Sequence, residues 1–101
     1  MTHAFVQDVP IGWEVYRQIR AELGDEPPAG LVVHVVMETE KGLRYLDVWE
    51  SQEAHSAFVE TKLHPIVGRV LARAGVARPA EEPRREPVRV REVWAGASRV
   101  G

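Results

Sequence analysis

Apolar residues recur along the chain with two periods, and the change from one to the other divides it into six elements. AFVQDV, residues 4–9, alternates and reads as a short first strand, closed by a turn at Pro10 and Gly12. In GWEVYRQIRAELG the residues Trp13, Tyr16, Ile19 and Leu23 lie three, three and four apart, which puts them on one face of a helix that Gly24 stops. After the polar loop DEPPAG, the run LVVHVVME is nearly all β-branched and predicts a strand covered on both faces. TEKG turns the chain, with Gly42 able to take the positive φ that such turns need.

GLRYLDVWE is the second arm of that hairpin, with Leu43, Tyr45, Asp47 and Trp49 on one face and Arg44, Leu46, Val48 and Glu50 on the other. Ser51 is placed to cap a following helix, with Glu53 adding favourable charge to its first turn. Ala54, Ala57, Phe58 and Thr61 form the expected inward face. Pro65 lacks an amide hydrogen, so LHPIVGRVLARAG reads as a kinked continuation or a second short helix. VARPAEEPRREP is a Pro-rich polar connection expected on the surface, and PVRVREVW returns as a last strand. The order β-α-β-β-α-β predicts an α+β, ferredoxin-like fold: a four-stranded antiparallel sheet with helices on one face. Residues 1–94 make one domain, and 95–101 a loose tail.

Helices on one side leave the apolar residues of the other sheet face in water. With only 101 residues to build a core, a second copy of the chain is the simplest cover, and a homodimer through Val32, Val36, Leu46 and Val48 is expected. The 45% hydrophobic and 28% charged fractions are those of a globular protein, and a net charge of -2 excludes the basic footprint of a nucleic-acid binder. No run reaches the roughly 20 apolar residues of a membrane span, and MTHAFVQDVP lacks the pattern of a leader, so a cytoplasmic location is expected. Without cysteine, any chemistry falls to His, Asp, Glu, Tyr and Arg.

His34 interrupts an apolar strand, and its partner depends on the turn. A two- or four-residue loop centred on Glu40 and Lys41 sets it across from Asp47, whereas a three-residue loop ending at Gly42 sets it opposite Val48. In the first register Asp47 orients His34 as a general base; the alternative is a core histidine satisfied by one hydrogen bond. Asp47 needs a partner in any case, because an unpaired buried carboxylate is costly. Tyr45 and Trp49 can stack on a flat aromatic ligand or pack as core aromatics. His55 stands at the edge of the buried stripe, aimed either at a pocket mouth or at solvent, and His64 before Pro65 reads as structural. No histidine pair has the spacing of a metal motif, and no metal or cofactor is expected.

GLVVHVV, LDVWESQEA and FVETKLHPIV, in that order and at that spacing, resemble the dimeric α/β-barrel superfamily over roughly residues 3–94, and in particular proteins similar to antibiotic biosynthesis monooxygenases. The resemblance implies two subunits packed sheet against sheet, each with a pocket between sheet and helices. It also implies cofactor-independent oxygenation of an aromatic or polyketide-like phenol to a quinone. The family's quinone-forming members use an Asn and a Trp on the third strand, a Tyr on the next helix and an Arg beyond it. Aligned without gaps, the Trp falls on Trp49 and the Arg on Arg69, while Tyr45 stands for the Asn and His55 for the Tyr. In that scheme Arg69 stabilises the phenolate, His55 or His34 takes the proton, and Trp49 holds the ring and donates its N–H to a peroxide. A non-catalytic ligand-binding barrel and a cofactor-free isomerase or cyclase are the competing readings, since fold alone does not settle function.

Overall fold

Gly42 decides how the central hairpin closes. Its φ of 146° and its approach to the Val9 carbonyl, which a Cβ would strike, leave room for glycine alone. Thr39 pairs with Gly42, the loop is the two residues Glu40 and Lys41, and β2 (Leu31–Thr39) runs antiparallel to β3 (Gly42–Trp49) with His34 opposite Asp47. The computed structural model describes residues 2–77 and 82–96. Its other strands are β1 (His3–Val9) and β4 (Arg85–Pro87), and the sheet is antiparallel in the order β2-β3-β1-β4.

Helix α1 (Trp13–Leu23) follows β1 and buries Tyr16 and Ile19; Trp13, expected on the same stripe, is 48% exposed. Ser51 Oγ accepts from the Ala54 amide at 3.1 Å and caps α2 (Gln52–Phe58), as the sequence predicts. A π-helical turn, Val59–Leu63, then carries the chain without interruption into α3 (His64–Ala74). The His64 amide reaches back five residues to the Val59 carbonyl. A turn widened in this way can accept the ring and missing amide hydrogen of Pro65 while the helix continues. The architecture is thus α+β with a four-stranded antiparallel sheet, and it follows the expected order only in part because the second helical arm is divided.

The inward face of that arm is rotated from the expected one. His55 and Val59 are buried, whereas Ala57 and Thr61 are exposed and Ala54 and Phe58 only half-buried. The imidazole of His55 fills the space between His3, Phe5 and Trp49, at ring separations of 4.8–5.2 Å, and this aromatic packing sets the helix rotation. Between the helices, Ile19, Ile66 and Val70 form a core flanked by Ile11, Val15, Leu23, Leu63 and Val67. Burial of each such side chain is worth roughly 1.5 to 3 kcal/mol.

Two further expectations are corrected. The last strand is Arg85–Pro87, not 87–94, because pairing with β1 ends with the Val88 amide on the Ala4 carbonyl. Beyond Val88 the register leaves only His3 of β1 to pair, and an alternating sequence without a neighbouring strand cannot form a ladder. The tail expected at 95–101 lies mostly outside the described residues, as do residues 78–81 of the polar connection. The uncovered sheet face also has other members than expected. Val36 pairs with Tyr45 and so faces the helices, while Val32 is the unpaired residue of a bulge between Leu31 and Val33. Val33, Val35 and Met37 are the β2 residues that share the outer face with Leu46 and Val48, and Val48, expected to be wet without a partner, is only 2% exposed within the chain itself.

Candidate functional site

Tyr45, Asp47 and Trp49 share one face of β3, and that face looks toward the helices. A broad open cleft runs between this sheet face and the helices, and Tyr16, His34, Tyr45, Asp47, Trp49 and His55 line it. Four of these side chains form one hydrogen-bonded chain. Asp47 Oδ1 meets His34 Nδ1 at 2.5 Å, and its Oδ2 accepts from the Trp49 indole N–H at 3.0 Å. The Tyr16 hydroxyl lies 3.0 Å from His34 Nε2. The assignment that satisfies every group has Nδ1–H donating to Asp47 and the Tyr16 O–H donating to Nε2, with His34 neutral.

This arrangement answers the cost of burying Asp47, which is only 8% exposed: both its oxygens are engaged. Two consequences differ from expectation. The Trp49 N–H, expected to serve a ligand, is committed to Asp47, and Trp49 is 1% exposed, so it positions the carboxylate from below. The chain ends at the Tyr16 hydroxyl, which the sequence presents only as part of an apolar helix stripe. A tyrosine buried on such a stripe needs a partner for its O–H, and His34 was the polar group available on the facing strand.

Burial raises the titration of Tyr16 above the usual tyrosine range, and the nearby Asp47 charge acts in the same direction while Arg20 opposes it. Tyr45 packs against Tyr16 at 5.7 Å and edge-on to His34 at 5.1 Å, and burial raises its phenol further still. The two phenols and the imidazole thus make an aromatic floor with the polar chain running through it. His55 stands farther along the cleft. Burial first, then the charges of Arg85 and His3, lower its titration to about 4, so at neutral pH it is an uncharged imidazole.

Arg69 is not part of this site. It is exposed and donates to Glu22 at 3.1 Å on the outer side of the α1–α3 pair, where Arg73 donates to the same carboxylate at 2.7 Å. Val67 and Leu71 turn toward the cleft from α3, and a residue midway between them on a helix points away. Of the cations that line the cleft, Arg85 on β4 is the one set over the sheet, with its guanidinium 5.5 Å from the centre of the Phe5 ring. Extending the last strand two residues toward its N-terminus, so that Arg85 falls beside Gln7, is the change in the sequence reading that would have found it. His64 lies on the rim and pairs with Glu82 at 3.3 Å.

Among the described residues no three His, Asp or Glu side chains come together to hold a metal ion, and no helix is long and apolar enough to cross a membrane. No family model and no curated protein matches the sequence.

Proposed function

We propose that this protein is a cofactor-independent monooxygenase that deprotonates an aromatic or polyketide-like phenol and passes the anion to dioxygen. The observation that carries the reading is the chain from Tyr16 through His34 to Asp47, laid along an aromatic cleft. A substrate hydroxyl that donates to the Tyr16 oxygen loses its proton as the Tyr16 proton moves to His34 Nε2. The imidazolium so formed rests against the Asp47 carboxylate. The phenolate spreads its charge onto a ring carbon, which bonds to one oxygen atom of dioxygen. The far oxygen then takes the proton held by the relay, giving a hydroperoxide. Loss of the C–H proton at that carbon breaks the O–O bond, and hydroxide leaves with that proton as water. Naphthol and dioxygen give naphthoquinone and water, and the electrons that the ring loses are those that the two oxygen atoms gain.

The same proposal includes the ferredoxin-like, dimeric α/β-barrel assembly, with the outer sheet faces of two copies packed together. Supporting it are the apolar outer face and the exposed Val88, Val93 and Trp94 beyond β4, with Trp94 92% exposed.

The test is oxygen uptake by metal-free protein with naphthol or anthrone-like substrates, beside deuterium exchange at the activated ring carbon without oxygen. Wild type is expected to consume oxygen, and Tyr16→Phe and His34→Ala to lose about 10²- to 10⁴-fold of the rate. Deuterium exchange without oxygen uptake makes the protein an isomerase or cyclase using the same relay. Tryptophan quenching by the ligand with neither activity makes it a binding barrel.

A further inference from the structure

The cleft has a second polar station at its other end. Across the inner sheet face the strands come in the order β2-β3-β1-β4, so His34 and Arg85 stand on opposite edge strands. They are separated by three strand spacings, about 14 Å. Arg85 is held there from two directions. Its strand neighbour Gln7 donates to the Pro83 carbonyl at 2.8 Å, fixing the segment that carries it, and the Phe5 ring lies beneath the guanidinium.

The charge of Arg85 is only partly answered. Its one carboxylate partner among the described residues is Glu82 at 2.9 Å, which is half exposed and also accepts from His64. Arg85 Nε is buried without a hydrogen-bond partner, alone in this among the buried side-chain polar atoms of the described residues. Such an orphaned donor is costly, and an acceptor of opposite charge is the group that relieves it best. Its surroundings strengthen any charge pair formed there: the same end of the cleft holds His55, whose titration burial and Arg85 together depress.

We propose that Arg85 is the anchor for an acidic group of the substrate, a carboxylate at the end of the molecule remote from the phenol that Tyr16 engages. The guanidinium turns from Glu82 into the cleft and offers Nε–H and a terminal N–H side by side, the fork that matches a carboxylate. This rests on the reading of the cleft as an aromatic-ligand site and narrows its substrate class. Elongated hydroxyaryl carboxylic acids fit, and neutral phenols of the same shape are poorer ligands.

A matched pair of probes tests it: a hydroxybiphenyl carboxylic acid with its two groups at opposite ends, and the methyl ester of that acid, titrated by calorimetry at pH 7. Wild type is expected to bind the acid about tenfold or more tighter than the ester, as a charge-assisted contact requires. Arg85→Gln is expected to abolish that preference by weakening binding of the acid far more than of the ester, and Arg85→Lys to retain part of it. Glu82→Gln removes the competing carboxylate and should tighten binding of the acid. Thermal melting of each variant identifies any that fails to fold; should Arg85→Gln do so, the comparison of wild type with Glu82→Gln decides. Equal binding of acid and ester by wild type overturns the anchor and leaves the aromatic cleft standing, as does a preference that survives in folded Arg85→Gln. Binding of neither probe overturns both.

Discussion

Two side chains show what a neighbour does to a residue's chemistry. Asp47 is useful because His34 and Trp49 each hold one of its oxygens. Asp47→Asn keeps the shape but can turn its amide N–H toward His34, favouring the wrong tautomer. Turnover is expected to fall about 10²- to 10⁴-fold with little loss of stability, checked by kinetics beside urea unfolding. His55 makes a pH prediction. An unfolded histidine titrates near 6.5, and in the fold His55 is lowered to about 4, by burial first and then by Arg85 and His3, with Asp47 and Glu82 opposing. Between those values the unfolded chain binds a proton that the folded one refuses. Its contribution to stability is therefore fully present above about pH 6.5 and lost as pH falls toward 4, by ~3 kcal/mol at most. His55→Phe should flatten unfolding free energy between about pH 6.5 and 4.5, before most carboxylates titrate.

At the scale of elements, the site depends on one turn and one cap. The two-residue loop Glu40–Lys41 sets His34 across from Asp47, and a slip of one residue would turn either partner to the other sheet face. Gly42→Ala strains φ and meets the Val9 carbonyl, so a loss of about 1 to 3 kcal/mol is expected. The ring signals of Tyr16 and His34 should broaden in the NMR spectrum if the register loosens. Ser51→Ala removes the acceptor for the Ala54 amide and should cost about 1 kcal/mol in urea unfolding, while an unchanged midpoint would deny the cap any energetic role. The π-helical turn illustrates how a proline legible in the sequence left two outcomes open. Pro65 required that the regular ladder change near it, but only packing of Ile66 and Val70 against Ile19 selected a continuous helix over two separate ones.

For the whole molecule the uncovered sheet face sets the expectation. Val35 and Met37 are 38% and 39% exposed on that face, beside half-buried Leu46 and Val33. Each side chain covered by a second copy is worth roughly 1.5 to 3 kcal/mol before the costs of association. Light scattering at micromolar concentration should give a dimer, and Val35→Lys with Leu46→Lys should give a monomer that remains folded. A folded wild-type monomer at that concentration would end the dimer proposal. The cleft lies on the other sheet face, so the double variant should still bind the aromatic probes if each copy has a complete site.

What the sequence determined by itself is what periodicity and local sterics control: the strands and helices up to α3, the Ser51 cap, the need for glycine at position 42, and the shared face of Tyr45, Asp47 and Trp49. These depend on neighbours within a turn or a pleat. The tertiary structure alone decided which hairpin register was used, that Tyr16 completes the His34–Asp47 pair, that His55 turns inward, and that β4 is as short as Arg85–Pro87. It also placed Arg69 on the outer surface with Glu22 and Arg85 in the cleft. Arg69 stands in the apolar run VGRVLA and Arg85 in the charged run PRREP, so their sequence neighbours alone suggest the reverse placement. Their difference lies in contacts between residues far apart in sequence, Glu22 with Arg69 and Phe5 with Arg85, which exist only once the chain has closed on itself.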